Sequence, residues 1–219
     1  MSYSTYFKTR LAFDNKRSVL WKTLSQYFFQ RYIKNADSVL ELGAGYCDFI
    51  NNIQANDKYA VDLWGDFPEC ASSEVKTYVQ SVTDLSFLPN HSIDFVFASN
   101  LFEHLEQIDV ARCLLEIKRV LKTTGRLAIL QPNFRYAFKR YFDDYTHQSI
   151  WTDVSLGDFL SAQGFSIEKC WPRFLPLSIK SKLPVFSGLI RFYLKSPFKP
   201  LSQQMLIMAK PAHTSLIGN

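Results

Sequence analysis

The chain has 219 residues, of which 47% are hydrophobic, and a formal net charge of +5; this is enough for one well-buried α/β domain with an attachment, and short for two independent domains. Its four cysteines, Cys47, Cys70, Cys113 and Cys170, form no close pair in sequence, so no disulfide framework, zinc site or other metal is expected. No apolar run is long enough to span a bilayer, and Lys8, Arg10 and Asp14 interrupt the N-terminal segment, so the expectation is a cytoplasmic protein, soluble or peripheral at the inner face of a membrane.

Charge is unevenly placed. All 20 acidic residues precede Lys169, whereas Lys169, Arg173, Lys180, Lys182, Arg191, Lys195, Lys199 and Lys210 follow without an acid among them. Such a one-signed surface either attracts the phosphates of a lipid, a nucleic acid or a nucleotide-linked substrate, or is a solvated face that keeps the protein soluble.

In chain order, Val19, Leu20, Leu24, Tyr27, Phe28 and Ile33 recur at mostly helical spacing, which predicts one helix over residues 14–34, with Trp21, Tyr27 and Phe28 packed on the core. Ser38-Val39-Leu40-Glu41-Leu42 reads as a buried strand, and Gly43-Ala44-Gly45 as the turn after it. Glycines at such a turn lack the Cβ atoms that would hold a ligand away, and they accept backbone angles other residues avoid. A dinucleotide fingerprint would place a third glycine where Asp48 stands, which weakens a nicotinamide or flavin reading. Residues 47–54 are expected to be helical, with Phe49, Ile50 and Ile53 facing the sheet.

Lys58 to Leu63 is a second strand ending in Asp62, about 20 residues past the glycine turn. There a carboxylate either accepts from ribose hydroxyls or serves as a turn or cap residue. Val75 to Val79 is a third strand, followed by a loop carrying Asp84. Ile93 to Ser99 is a nearly continuous apolar run of the central, parallel kind. After Asn100, Phe102, Glu103 and His104 comes an amphipathic helix over 109–121, which Thr123-Thr124-Gly125 closes, and a fifth strand over 126–133.

The acid followed by Gly-x-Gly resembles motif I of the S-adenosylmethionine-dependent methyltransferases with a Rossmann-like fold. The strand running into Asn100-Leu101-Phe102-Glu103-His104-Leu105 is similar to a second element of that family, as is the passage from helix to apolar strand around Gly125. The resemblance covers about 38–133. It implies an α/β fold with a Rossmann-like seven-stranded sheet, mostly parallel with an antiparallel last strand, and helices on both faces. It implies S-adenosyl-L-methionine as cofactor, with Glu41, Gly43, Ala44 and Gly45 at the turn, Asp62 and Leu63 at the ribose, Asp84 and Leu85 at the adenine, and Ser99 and Asn100 as further cofactor-binding residues at the end of the fourth strand. Tyr46 and Cys47 depart from the family pattern, in which small residues are frequent, so the turn is expected to sit differently under the methionine portion.

Beyond the fifth strand the segment 134–148 is rich in aromatics and charge, at the sheet edge where parallel α/β folds bind ligands. Methyl transfer to a hydroxyl needs a base. His147, oriented by Asp144 or Asp143, is one candidate and His104 another; capping, loop solvation and pocket lining are the plainer roles for the same residues. Thr152 caps a helix that Gly164 stops, and Phe165–Trp171 and Met205–Ala209 form an edge hairpin.

The expected organisation is a single domain over 1–219, with a cap helix in 1–35, a cofactor-binding core in 36–171, a basic aromatic insertion in 172–203 and a last strand in 204–210. Within the insertion, 183–199 is apolar, aromatic and basic together. It suits a membrane interface, a lid over a lipid-linked acceptor, or packing on the core or a second subunit.

The expected activity is methylation of a small-molecule or glycan hydroxyl, such as a nucleotide- or lipid-linked sugar of surface-polysaccharide synthesis, which the late motifs Asp144-Tyr145-Thr146-His147 and Arg173-Phe174-Leu175-Pro176 resemble. An RNA methyltransferase is one alternative; against it, Ser99-Asn100-Leu101-Phe102 has no Asn-Pro-Pro-Tyr-like pattern. A cofactor-binding or membrane-docking protein without catalysis is the other.

Overall fold

The computed structural model describes residues 15–176 and 185–212. The expectations for 1–14 and 177–184, including the start of the cap helix and part of the insertion, lie outside the described residues.

Seven strands form one sheet in the order β3-β2-β1-β4-β5-β7-β6: β1 (Ser38–Leu42), β2 (Asp57–Asp62), β3 (Val75–Val79), β4 (Ile93–Ser99), β5 (Leu121–Pro132), β6 (Phe165–Pro176) and β7 (Ser202–Pro211). The first five run parallel, and β7 lies antiparallel between β5 and β6, as the resemblance implies. Strand order reverses beside β1, where β2 lies on one side and β4 on the other. A ligand of a doubly wound sheet sits at the carboxyl edge of this switch point.

Side chains alternate across each strand and feed two cores. On one face Leu40, Leu42, Val61, Val96 and Ala98 pack against Val110, Leu114 and Ile117 of α2 (Gln107–Val120) and Leu156 and Leu160 of α4 (Asp153–Ala162). On the other, Val39, Ala60, Phe95, Phe97 and Leu130 meet Trp21, Leu24, Phe28 and Phe29. These last come from α1 (Asn15–Thr23) and its continuation through a π turn (Leu24–Phe28) and a 3-10 turn (Phe29–Tyr32). Of the three aromatics expected inside, Trp21 and Phe28 are buried. Tyr27 is only half-buried and lies 4.5 Å from the Arg191 guanidinium.

Three elements differ from the sequence expectation. Residues 47–54 hold turns and a single 3-10 turn (Ile50–Asn52) instead of a helix. Cys47 takes φ +57°, which breaks right-handed progression, although Phe49, Ile50 and Ile53 are buried as expected. Strand β5 begins at Leu121, five residues early, because Leu121 pairs with Ile93 as soon as α2 ends. Strand β6 runs on through Pro176 with irregular register against β7, so the loop before β7 is shorter than the expected insertion. Its helix α5 (Ser187–Lys195) buries Ile190 and lays Arg191 and Lys195 over Tyr27. Helix α4 matches expectation: Thr152 and Ser155 form a reciprocal capping box, and Gly164 (φ +82°) ends it.

Candidate active site

The carboxyl ends of β1, β2, β4 and β5 define the edge on which the functional candidates gather. At the first, Gly43 and Gly45 take φ +65° and +49°, conformations that a side chain would strain. The Gly43 and Ala44 N–H groups both donate to the Val61 carbonyl, at 2.9 and 3.2 Å. Asp62 closes the turn: Oδ2 accepts from the Gly45 N–H and Oδ1 from the Trp64 N–H, both at 2.8 Å. Glu41 accepts from the Ile50 N–H at 3.0 Å on the buried side of the same loop. Burial pushes the Glu41 carboxyl well above its usual range and raises that of Asp62 as well, while three backbone N–H groups oppose the latter shift.

The departures in the motif acquire a physical account here. Tyr46 stands edge-on to Trp64, with ring centroids 5.4 Å apart, and is covered by Arg17 of α1 at 5.6 Å. The same Arg17 pairs with Asp48 at 2.6 Å. Cys47 is wholly buried, and desolvation by burial raises its thiol pKa far above the usual range. The N-terminal helix is thus pinned across the glycine turn by the bulky and acidic residues that distinguish this turn.

Two of the expected cofactor residues are dispersed. Asp84 is exposed and accepts from the Ser86 N–H at 3.0 Å, in a surface depression that it shares with Arg112, Glu116 and Arg119. Leu85 is buried in the α2-side core, its N–H donating to Glu116. The loop that carries them starts at Gln80, whose N–H donates to the Asp62 carbonyl at 3.1 Å. Leu63 is 45% exposed next to Asp62.

At the end of β4, Asn100 adopts φ +48° and donates its N–H to the Leu130 carbonyl at 2.8 Å, while its side chain donates to Ser99. Leu101 then lies over the glycine turn: a Cβ on Gly43 would stand 3.0 Å from Leu101 Cδ1. One residue past the β5 partner of Ser99, Gln131 is fully buried, and neither atom of its amide finds a hydrogen-bond partner among the described residues.

The third group follows immediately. Phe102–His104 is a 3-10 turn, and the segment after β5 folds back onto it. Gln148 and Ser149 donate backbone N–H bonds to the Glu103 carbonyl at 2.8 and 3.2 Å. The Gln148 side chain bonds the His104 carbonyl at 2.8 Å, and Ser149 Oγ bonds that of Leu105. This stitching brings the His147 ring to 4.9 Å from the His104 ring and 4.4 Å from Tyr141. Glu103 ends up with no accessible surface and no hydrogen-bond donor for either carboxylate oxygen among the described residues.

Asp144 reaches His104 through Thr146. Its Oδ1 accepts from Thr146, at 2.6 Å from the hydroxyl and 3.1 Å from the N–H, and the Thr146 hydroxyl oxygen lies 2.9 Å from His104 Nδ1. A hydroxyl that gives its proton to a carboxylate must accept from the ring, so His104 carries its proton on Nδ1 and its lone pair on Nε2. Burial pulls the His104 pKa down to about 4, and the neighbouring His147 adds to the shift. Burial pushes the Glu103 carboxyl up to about 8. Burial also acts to raise Asp144, but the two Thr146 bonds outweigh it and hold that carboxyl below its usual value.

The candidate bases His104 and His147 and the acid Asp144 therefore do meet. Glu103 is the member that the sequence passed over, and its ligand atom lies within 4.8 Å of those of His104 and His147. Its only signal was position: an acid between a core phenylalanine and a histidine, at the end of a central strand.

Comparison with known proteins bears on the fold that carries these residues. Residues 40–129, from β1 through β5, match the family model described as a methyltransferase domain. No curated protein sequence matches the chain. Among solved structures, an S-adenosylmethionine-dependent methyltransferase from Archaeoglobus fulgidus superposes with a TM-score of 0.67 at 21% identity, over 95% of this chain and 98% of that one. The Haloferax volcanii protein solved in complex with the Trm112 methyltransferase activator gives 0.70 at 13% identity, over 96% and 95% of the two chains. A Thermotoga maritima methyltransferase, described as a possible histamine N-methyltransferase, gives 0.66 at 16% identity over 95% and 94%.

Proposed function

We propose that this chain, whose residues 40–129 match a methyltransferase domain, uses S-adenosylmethionine to methylate a hydroxyl of a small or glycan acceptor held against Glu103, His104 and His147. The observation that carries this reading is the contact of Leu101 with Gly43. It makes the cofactor turn and the histidine cluster neighbours, so a donor methyl over one lies next to an acceptor oxygen over the other.

The residues present fit the cofactor. Gly43 and Gly45 have the left-handed backbone that lets a ligand lie against the turn. Both Asp62 oxygens accept backbone N–H bonds, and a carboxylate with about four acceptor sites still has one for a ribose hydroxyl. The buried Gln131 amide offers a donor and an acceptor at the adjoining strand end. When bound, S-adenosylmethionine supplies an electrophilic methyl on sulfur. The chain's own part is positioning and proton handling. Leu101 and Phe102 wall the acceptor from water, and the hydroxyl proton leaves at the histidine cluster as carbon bonds to oxygen. The fixed Nδ1–H tautomer of His104 leaves Nε2 as the basic nitrogen of the ring.

Binding calorimetry with S-adenosylmethionine tests the first half: wild type binds one equivalent, and Asp62→Ala binds on the order of 100-fold more weakly. Turnover against a panel of sugar, phenol and amine acceptors tests the second, with hydroxyl acceptors expected to be methylated and exclusive amine methylation counting against it.

A lipid-linked acceptor would explain the surface beside α5. Phe192, Phe198 and Leu201 are more than 70% exposed there, among Arg191, Lys195 and Lys199. Apolar rings interleaved with cations suit an anionic membrane interface. Co-sedimentation with phosphatidylglycerol vesicles, absent with phosphatidylcholine alone, is the expected result.

A further inference from the structure

The Glu103–His104–His147 cluster has the composition of an ion site. We propose that these three side chains bind one divalent first-row transition ion, of which Zn2+ fits best, and that the ion holds the acceptor oxygen. This rests on the acceptor pocket described above and deepens it.

Three features of the geometry converge. One carboxylate and two imidazoles present donor atoms within 4.8 Å of one another; bonds of about 2.0–2.2 Å to one four-coordinate ion place donors about 3.3–3.6 Å apart, so side-chain rotations of about an ångström bring all three onto a single ion. Glu103 is wholly buried with both oxygens unmatched among the described residues, a placement that an apolar pocket tolerates poorly and a cation would answer. The second sphere is already assembled: Asp144 accepts from Thr146, which accepts from His104 Nδ1, and this fixes the tautomer in which Nε2 is the basic nitrogen. Two imidazoles with one carboxylate suit zinc or iron over magnesium, which prefers six oxygens.

The site lies inside the protein yet is not closed. His104 and His147 are only partly buried, so the three protein ligands leave a coordination position for the acceptor. An oxygen bound there has its pKa lowered and gives its proton to solvent, and the oxyanion then attacks the methyl as the carbon–sulfur bond breaks. The ion would thereby take over from imidazole the task of drawing the proton from the hydroxyl.

The test uses untagged, full-length protein freed of metal with a chelator. Zinc calorimetry is expected to give one saturable site, and Co2+ in its place an intense visible band of a four- or five-coordinate complex. Glu103→Gln and His147→Ala, checked for folding by circular dichroism, should abolish both signals; Thr146→Val should weaken binding 10- to 100-fold. Magnesium should not compete. Absence of a saturable site in wild type, or a site that survives both substitutions, overturns the proposal. S-adenosylmethionine binding measured on the same metal-free protein separates this outcome from failure of the methyltransferase reading, since that binding needs Asp62 and not the ion.

Discussion

The glycine turn and the histidine cluster sit on the same sheet edge, bridged by Leu101, and are finished to different degrees. At the turn each polar group is answered: Asp62 by Gly45 and Trp64, Glu41 by Ile50, Asp48 by Arg17. At the cluster and the neighbouring strand end, Glu103 and Gln131 are buried without partners among the described residues. Protein interiors rarely leave such groups orphaned, because each costs about 1–3 kcal/mol. The difference teaches that the turn is preorganised by the chain itself, whereas Glu103 and Gln131 keep unmatched polar atoms that the proposed ion and ligands would answer.

The contrast can be broken most sharply at Asp62. Its replacement by Ala removes the acceptor that closes the turn, and S-adenosylmethionine affinity is expected to fall on the order of 100-fold, about 2.7 kcal/mol, in a titration of the purified variant. Next in size is the Thr146 relay. Thr146→Val separates Asp144 from His104 while leaving the turn untouched, so kcat should drop on the order of 10-fold with cofactor affinity unchanged.

Proton linkage gives a third handle. Glu103 has a pKa of about 8 when folded without metal, against about 4.3 unfolded. A raised carboxyl pKa contributes stability that is complete below the unfolded value and is lost as pH rises through the folded one. Metal-free protein should therefore lose several degrees of Tm between about pH 5 and pH 9, and Glu103→Gln should flatten that decline.

The smaller effects sharpen the comparison from outside the cluster. Arg17→Ala frees the N-terminal helix from Asp48 and Tyr46. A partly exposed pair of this kind is worth about 0.5–1 kcal/mol, visible as a shift in urea midpoint together with a few-fold loss of cofactor affinity. Thr152→Ala removes the capping box of α4, costs about 1 kcal/mol of stability, and leaves both binding edges unchanged.

Much of the fold was legible because its strands are uninterrupted apolar runs: Ile93 to Ser99 can be little else than a central strand. The early start of β5 was hidden, since Thr123-Thr124-Gly125 reads locally as a stop while Leu121 obeys a long-range pairing with Ile93. Cys47 carries no local mark of its left-handed backbone, so the short turn after Gly45 read as a helix. Asp84 keeps its expected order along the chain, and its carboxylate is used locally at Ser86, a turn contact that motif order does not reveal. Glu103 and His147 were the hardest to join. Their proximity depends on Gln148 and Ser149 folding back across 45 and 46 residues of sequence onto the Glu103 carbonyl, and periodicity says nothing about such a return.

A crystal structure with S-adenosylhomocysteine tests the central claim most directly. The account predicts the ribose hydroxyls on Asp62, the amino-acid portion across Gly43–Gly45, and the sulfur facing Glu103, His104 and His147. A nucleoside bound anywhere else, or a sulfur turned away from that cluster, would contradict it.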